Sequence, residues 1–293
     1  MSASEARPPR AHAAIEALER VAVLDGAADA ISKWVRGAVP KGAIKDGLSG
    51  SWLGHALHPM LTDVPIGLWT SAIALDWLGG RDARAAADRL IALGLGGAVP
   101  AVVTGASDWA DSTPGNPPVK RVGIVHATSN TVAAVLFASS WAARRRGTRG
   151  KGKALALAGG GALVGGGFLG GHLSFARGIG VDQTVFEPRP EEWHDALAAS
   201  ELPEREPRVA EVDGVPVLLV RDGGELLALS DTCAHRGGAL HEGELHDGCV
   251  TCPLHGSTFR LRDGSLVRGP SAYPQPAWQT RERAGRVEVR RAG

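Results

Sequence analysis

The sequence predicts two parts of different class, an N-terminal all-α bundle of four transmembrane helices and a C-terminal all-β domain. Three observations carry this. Four apolar stretches, about Leu57–Leu78, Leu90–Ser107, Val122–Ala142 and Ala154–Phe175, follow one another, each near the roughly twenty residues that cross a bilayer as a helix. They lack the charged stripe of a soluble amphipathic helix. The C-terminal part instead shows short runs of β-branched and aliphatic residues set around Asp-Gly turns. The expected division is 1–50, an amphipathic and flexible segment; 51–178, the four-helix transmembrane domain; 179–206, a linker; and 207–293, the β domain.

At 293 residues and a net charge of +1, the chain has room for about two domains. It carries no bulk charge that would hold nucleic acid. Its three cysteines do not report an oxidising compartment. The opening residues are polar and Pro-rich, look disordered, and do not read as a cleavable signal. Residues 11–37 read as an amphipathic helix: Ile15, Leu18, Ala22, Ala28, Ile31 and Val35 recur at helical spacing. Such a helix lies on the membrane surface or packs on its own protein.

Small residues at i, i+4 mark the fourth apolar stretch, with Gly161/Gly165, Gly166/Gly170 and Gly167/Gly171. In lipid, helix association rests on close packing, so this helix is expected in the middle of the bundle. The run His58-Pro-Met-Leu-Thr-Asp-Val-Pro65-Ile-Gly, with His126 and Gly170-Gly-His172, resembles an uncharacterised family of small four-helix bacterial membrane domains.

Loop charges predict a multi-pass topology in the cell membrane. Arg81, Arg84 and Arg89 lie between the first two stretches, and Arg144, Arg145, Arg146, Arg149, Lys151 and Lys153 between the last two. With four helices these loops share a side, expected to be cytoplasmic. The middle loop carries only Lys120 and Arg121 against Asp108 and Asp111, so both termini and the β domain are expected outside. Arg144-Arg-Arg146 fits a positive-inside loop and also suggests a twin-arginine export signal.

From Gly178 to about Pro207 the chain reads as a polar connector with one short helix, Glu191–Ala199. Val215–Val220 and Leu226–Ser230 then flank Asp222-Gly-Gly224; Thr258–Leu261 and Ser265–Val267 flank Asp263-Gly264; Val287–Val289 closes the domain. Both flanked turns are hairpin signals.

The chemistry is concentrated in this β domain. Cys233-Ala-His235 is answered downstream by Cys252-Pro-Leu-His255, with Gly237, Gly238 and Gly256 behind the histidines. Two Cys on one iron and two His on the other are what a mixed-ligand 2Fe-2S cluster requires. Zinc accepts the same donors, although its sites usually pair Cys with Cys and His with His. The paired motif resembles the Rieske iron–sulfur family over the C-terminal part of the chain. By that resemblance Cys233 and Cys252 hold one iron, His235 and His255 the other, and Ser257 donates a hydrogen bond to a cluster sulfur. Cys249 is left over, and His241 and His246 read as surface residues.

The resemblance also implies a one-electron carrier. The respiratory branch of the family has an extra, disulfide-forming Cys in each ligand loop, where this chain has Gly238 and Leu254. It has a Tyr where this chain has Phe259. One donor to sulfur is thereby lost and a lower potential is expected. The loops look more like Rieske ferredoxins that serve oxygenases. No His follows His255, so the two-His-one-carboxylate iron of an oxygenase is not expected after the ligand loops. The leading reading is a membrane-anchored electron-transfer protein that meets lipid and either a quinol or a redox partner protein. The alternative is a ferredoxin-type component for a partner oxygenase or reductase, with the membrane part as an anchor.

His55, His58, His126 and His172 fall at one face of the bilayer if the helices alternate in direction. Ionisable side chains at membrane depth mark functional sites by default. His126 and His172 are the expected pair for a haem b, or for a quinone whose protons a His and an Asp would take.

Overall fold

The computed structural model describes residues 10–291, so the expectation of disorder at the start lies largely outside the described residues. The chain divides into two compact units, one of residues 1–39 and 58–179, the other of 40–57 and 180–293.

The first unit is helical: α1 (Arg10–Glu19), α2 (Asp25–Ala38), α4 (Leu57–Leu78), α5 (Arg84–Ser112), α6 (Pro117–Arg145) and α7 (Arg149–Gly171). A π-helical turn, His172–Ala176, prolongs α7. Among the described residues three spans are long and apolar enough to cross a membrane: Arg84–Ser112, Pro117–Arg145 and Arg149–Ala176. The first expected span does form a helix, α4, but Asp63, Pro65 and Asp76 dilute its hydropathy and it is not among the three. The single helix expected over 11–37 is broken at Ala22–Leu24 into α1 and α2. Both pack on their own protein. Lys120 Nζ lies 2.9 Å from Asp29 Oδ1, Arg121 Nη2 2.6 Å from Asp25 Oδ2, and Arg36 donates to the carbonyl of Ala110 at 2.7 Å.

Helices α4–α5 and α6–α7 form two hairpins of like construction. The interval from His58 to His126 is also that from Trp69 to Phe137 and from Asp76 to Arg144. Trp69 and Phe137 stack with centroids 4.4 Å apart, and Asp76 pairs with Arg144. The return helices repeat too: Gly94 backs Trp69 as Gly159 backs Phe137. The bundle core forms around this stack, with Ala72, Ile91 and Ala156 fully or almost fully buried.

The second unit is mostly β. A six-stranded sheet runs β1 (His194–Ala198), β10 (Arg286–Arg291), β9 (Ala277–Arg283), β4 (Glu225–Ser230), β3 (Val215–Asp222), β2 (Arg208–Val212). A four-stranded sheet runs β5 (Glu244–His246), β6 (Cys249–Thr251), β7 (Thr258–Arg260), β8 (Leu266–Arg268). All named pairings are antiparallel. β3 is buried on both faces. Its Val217 and Leu219 enter one core with Trp278, Val287 and Val289, while Leu218 and Val220 enter another with Leu229, Val250, Phe259, Cys233 and Cys252. That alternation is the period of two of a strand.

Two expectations about this unit need correction. The short helix at Glu191–Ala199 is the strand β1, whose Leu197 sits in the core and which pairs with β10; tertiary pairing outweighs local propensity here. The connector is therefore not free. Gln183 N donates to Ala234 O, and Glu187 accepts from the hydroxyl of Ser230 at 2.6 Å. Conversely, Pro40–Leu57 belongs with the β unit. It carries α3 (Ala43–Ser49), and Ser51 Oγ donates to Ser271 O at 2.7 Å.

Candidate iron–sulfur site

Two loops with the same backbone turn present the four candidate ligands. In the first, Cys233 N donates to Gly238 O and Gly237 N to Cys233 O, both at 2.8 Å. In the second, Cys252 N donates to Ser257 O at 2.8 Å and Gly256 N to Cys252 O at 3.0 Å. Gly237 and Gly256 stand at φ +70° and +85°, a left-handed conformation that glycine adopts without a Cβ penalty. Cys233 and Cys252 are 1% and 3% exposed, and the rings of His235 and His255 meet edge to face at 5.0 Å. The four expected ligands are thus brought together.

The chemistry of this cradle fits a cluster. Nδ1 of His235 is buried with no hydrogen bond at that atom, and Nδ1 of His255 likewise; buried polar atoms in that condition call for a ligand. Burial, helped by the charges of His255, Arg236 and Lys45, holds His235 well below the usual imidazole range, so the ring is neutral, as a ligand must be. The Cys233 thiol is pushed up by its hydrogen bond with Cys252 and by burial. The same hydrogen bond lowers Cys252 to about 7, with help from backbone N–H groups of Leu254 and His255 and from Lys41. Backbone N–H groups of His235 and Arg236 serve Cys233 in the same way. Each loop therefore aims amide donors at its own sulfur.

Residues 192–279 match the Rieske 2Fe-2S domain, and residues 54–183 match a family described as predicted membrane protein, DUF2231. Over 98 residues the chain is 38% identical to the ferredoxin subunit of anthranilate 1,2-dioxygenase from Burkholderia cepacia, covering 91% of that protein and 33% of this chain. The chain belongs to the Rieske iron–sulfur family. It is also 30% identical over 91 residues to the cytochrome b6-f complex iron–sulfur subunit of Chlorobaculum tepidum, covering 49% of that protein and 31% of this one. Among solved structures, the ferredoxin of carbazole 1,9a-dioxygenase from Nocardioides aromaticivorans is similar, with 27% identity, 100% of that chain and 35% of this one covered, and a TM-score of 0.33.

In the Rieske domain the remaining predicted residues find clear places. Ser257 is fully buried, and its Oγ accepts from Ser271 N at 2.9 Å, which leaves the hydroxyl proton for another acceptor. Leu254 fills the space beside Gly238: a Cβ there would lie 2.8 Å from Leu254 Cδ1 and 3.1 Å from Cys252 Sγ. Phe259 is buried in the core under the loops, and Cys249 sits on β6 with its thiol 3.6 Å from Asp247 O. His246 bonds Thr251 Oγ1. His241 is more than a surface residue: its Nδ1 and its amide both bond the buried carboxylate of Asp231, at 2.7 Å each.

Three contributors were missed in the sequence. Gln275 is 2% exposed and clamps the first ligand loop. Its Oε1 accepts from Ala234 N at 2.9 Å, while Nε2 donates to Ser230 O and Thr232 O at 2.7 Å each. Lys41 and Lys45 come from a segment that precedes the apolar helices and reads as a flank of them. No local signal in the sequence assigns any of the three to the site.

His126 and His172, the expected pair in the membrane part, each bond a different partner. His172 Nε2 lies 3.0 Å from Glu19 Oε1, and Glu19 also pairs with Arg177. His126 donates from Nδ1 to Gly166 O at 2.8 Å.

Proposed function

We propose that this chain is a membrane-anchored one-electron carrier whose Rieske domain works as a ferredoxin for a partner oxidoreductase. The observation that carries the reading is the cradle itself, two buried thiols and two imidazoles that meet edge to face at 5.0 Å, presented by matched loops. When bound there by Cys233, His235, Cys252 and His255, a 2Fe-2S cluster supplies one-electron transfer at a potential raised by its neutral ligands. The protein's own part is to hold it and to set that potential. Amide donors at each cysteine, the Ser257 hydroxyl and the Lys41 charge all favour the extra electron.

The ferredoxin reading rests on the loops. Leu254 packs on Gly238 where the disulfide of the respiratory branch would be, and Phe259 offers no hydroxyl. The dioxygenase ferredoxin relatives support the same choice. Spin resonance of the purified full chain during redox titration tests it. A Rieske signal with a midpoint well below the top of the range, roughly +300 mV, is expected. A value at the top, together with direct reduction by a quinol, would favour a quinol-oxidising role instead.

The basic loops support a cytoplasmic side. Arg144 and Arg149 are neutralised by Asp76 and Asp88, yet Arg81, Arg89, Arg145, Arg146 and Lys151 remain there. Lys120 and Arg121 opposite are paired with Asp29 and Asp25. The Rieske domain would then face out. Reporter fusions at Gly115 and after Gly293 should both read extracytoplasmic; a cytoplasmic reading at the C-terminus would reverse this topology.

A further inference from the structure

The bundle holds a second matched pair of histidines. His58 opens α4 and its Nδ1 lies 2.9 Å from Ala101 O on α5; His126 opens the equivalent part of α6 and its Nδ1 lies 2.8 Å from Gly166 O on α7. A carbonyl oxygen only accepts, so both rings carry their proton on Nδ1 and present the lone pair of Nε2. This is the arrangement in which metal-binding imidazoles are held, oriented by a hydrogen bond at the far nitrogen. The equivalence extends further. One turn beyond each accepting carbonyl stands a glycine, Gly105 and Gly170, and a side chain at either would run into the His58 or His126 ring. Glycine keeps these two sites open to an imidazole. Each ring stands about three turns before the stacked pair, His58 ahead of Trp69 on α4 and His126 ahead of Phe137 on α6, so the two lie on the same helix faces as residues that meet across the bundle. Among the described residues, His58 Nε2 makes no hydrogen bond, and Asn130 Nδ2 lies 3.3 Å from His126 Nε2.

We infer that His58 and His126 are the two axial ligands of one haem b bound between the two hairpins. The choice of ligand follows from counting donors. His58 and His126 offer two donors, whereas zinc asks for three or four protein ligands. An iron porphyrin brings four nitrogens of its own and asks the protein for two. Two equivalent imidazoles on two like-built hairpins match the two equivalent faces of that ring. A quinone fits less well, since its oxygens need donors and these Nε2 atoms are acceptors. The site adds a carrier to a chain already read as moving electrons, but it does not depend on the cluster being right, because haem and cluster have separate signatures.

The full chain, made in haem-replete cells and purified in detergent, is expected to give a reduced-minus-oxidised spectrum of a low-spin b-type haem at about one per chain. His58→Ala and His126→Ala should each remove that band, and His172→Ala should keep it. A single sharp peak on size exclusion in detergent and unchanged far-UV circular dichroism report that the bundle of each variant is folded. His126→Met should retain haem with a shifted spectrum, as a replaced axial ligand would. Wild-type protein that shows no haem and takes up none on titration with hemin would overturn the assignment. So would haem that survives both alanine variants, or a co-purifying quinone with no haem band.

Discussion

Lys41 lies across Gly256, the residue after the ligand His255: a Cβ built on Gly256 would come 3.1 Å from Lys41 Nζ. A cation here favours whichever cluster state is more negative, which is the reduced one. Lys41→Gln is expected to lower the midpoint, on the order of tens of millivolts for a charge at partly screened range, and Lys41→Arg to keep most of the wild-type value. Redox titration monitored by spin resonance decides between them, and an unchanged midpoint in Lys41→Gln would remove the lysine from the site. Ser257→Ala should lower the midpoint independently.

The ligand set makes the sharpest prediction. Cys252→Ser and His235→Cys should each abolish the Rieske absorption and spin signal. Cys249→Ser should leave both intact, since its thiol lies on β6 against Asp247. Normal cluster loading in Cys252→Ser protein would refute the assignment.

Gln275→Leu removes three hydrogen bonds at once, two of them buried, and takes a partner from Ala234 N and from two carbonyls. At about 1 kcal/mol for each net bond, a loss of about 3 kcal/mol in the β unit is expected, with less cluster per chain. Thermal unfolding and iron content measure the two effects. A variant as stable and as well loaded as wild type would show that the loop holds itself.

Much of this was legible in the residues. Asp222-Gly-Gly224 gave a hairpin whose register pairs Asp222 with Glu225, because a turn that needs φ > 0 leaves few alternatives. The four candidate ligands could be named from the sequence because a mixed cluster asks for those residue types at that spacing, and the fold brings them together. Gln275 was not, since nothing next to it along the chain needs it; its partners lie more than forty residues back, at Ser230, Thr232 and Ala234. β1 read as a helix because its partner β10 lies at the other end of the domain. The pairing of His58 with His126 was open to discovery from the repeated interval that also joins Trp69 to Phe137, but it is written across two helices and not within one.

Acid should loosen the contact between α1 and the end of α7. Burial works to raise the Glu19 pKa, but the hydrogen bonds from Arg177 and His172 outweigh it and hold the carboxyl below its ordinary 4.5. A depressed folded-state value means that the contribution is complete above the ordinary pKa and is lost as pH falls through the folded one. Melting temperature should therefore fall below about pH 4.5 more steeply in wild type than in Glu19→Gln. Parallel curves would show that Glu19 does not set the acid limb.

Asp76 and Arg144 occupy equivalent places in the two hairpins and are almost wholly buried, with side chains 1% and 0% exposed. Asp88 and Arg149 complete the group: Arg144 Nη1 lies 3.0 Å from Asp88, and Arg149 Nη2 lies 3.1 Å from Asp76. Removing one charge strands its partner in a dry site, so Asp76→Asn is expected to cost about 3–5 kcal/mol, read as a lower melting temperature in detergent. Replacing both, Asp76→Leu with Arg144→Met, strands less and should recover most of that loss, because apolar packing often matches a buried ion pair. The exchange Asp76→Arg with Arg144→Asp separates the pair from its surroundings. It keeps an ion pair between the hairpins, but it sets a carboxylate against Asp88 and a guanidinium against Arg149. It should therefore be less stable than the apolar double variant. If the exchanged protein melts with wild type, the pair acts alone and Asp88 and Arg149 only border it.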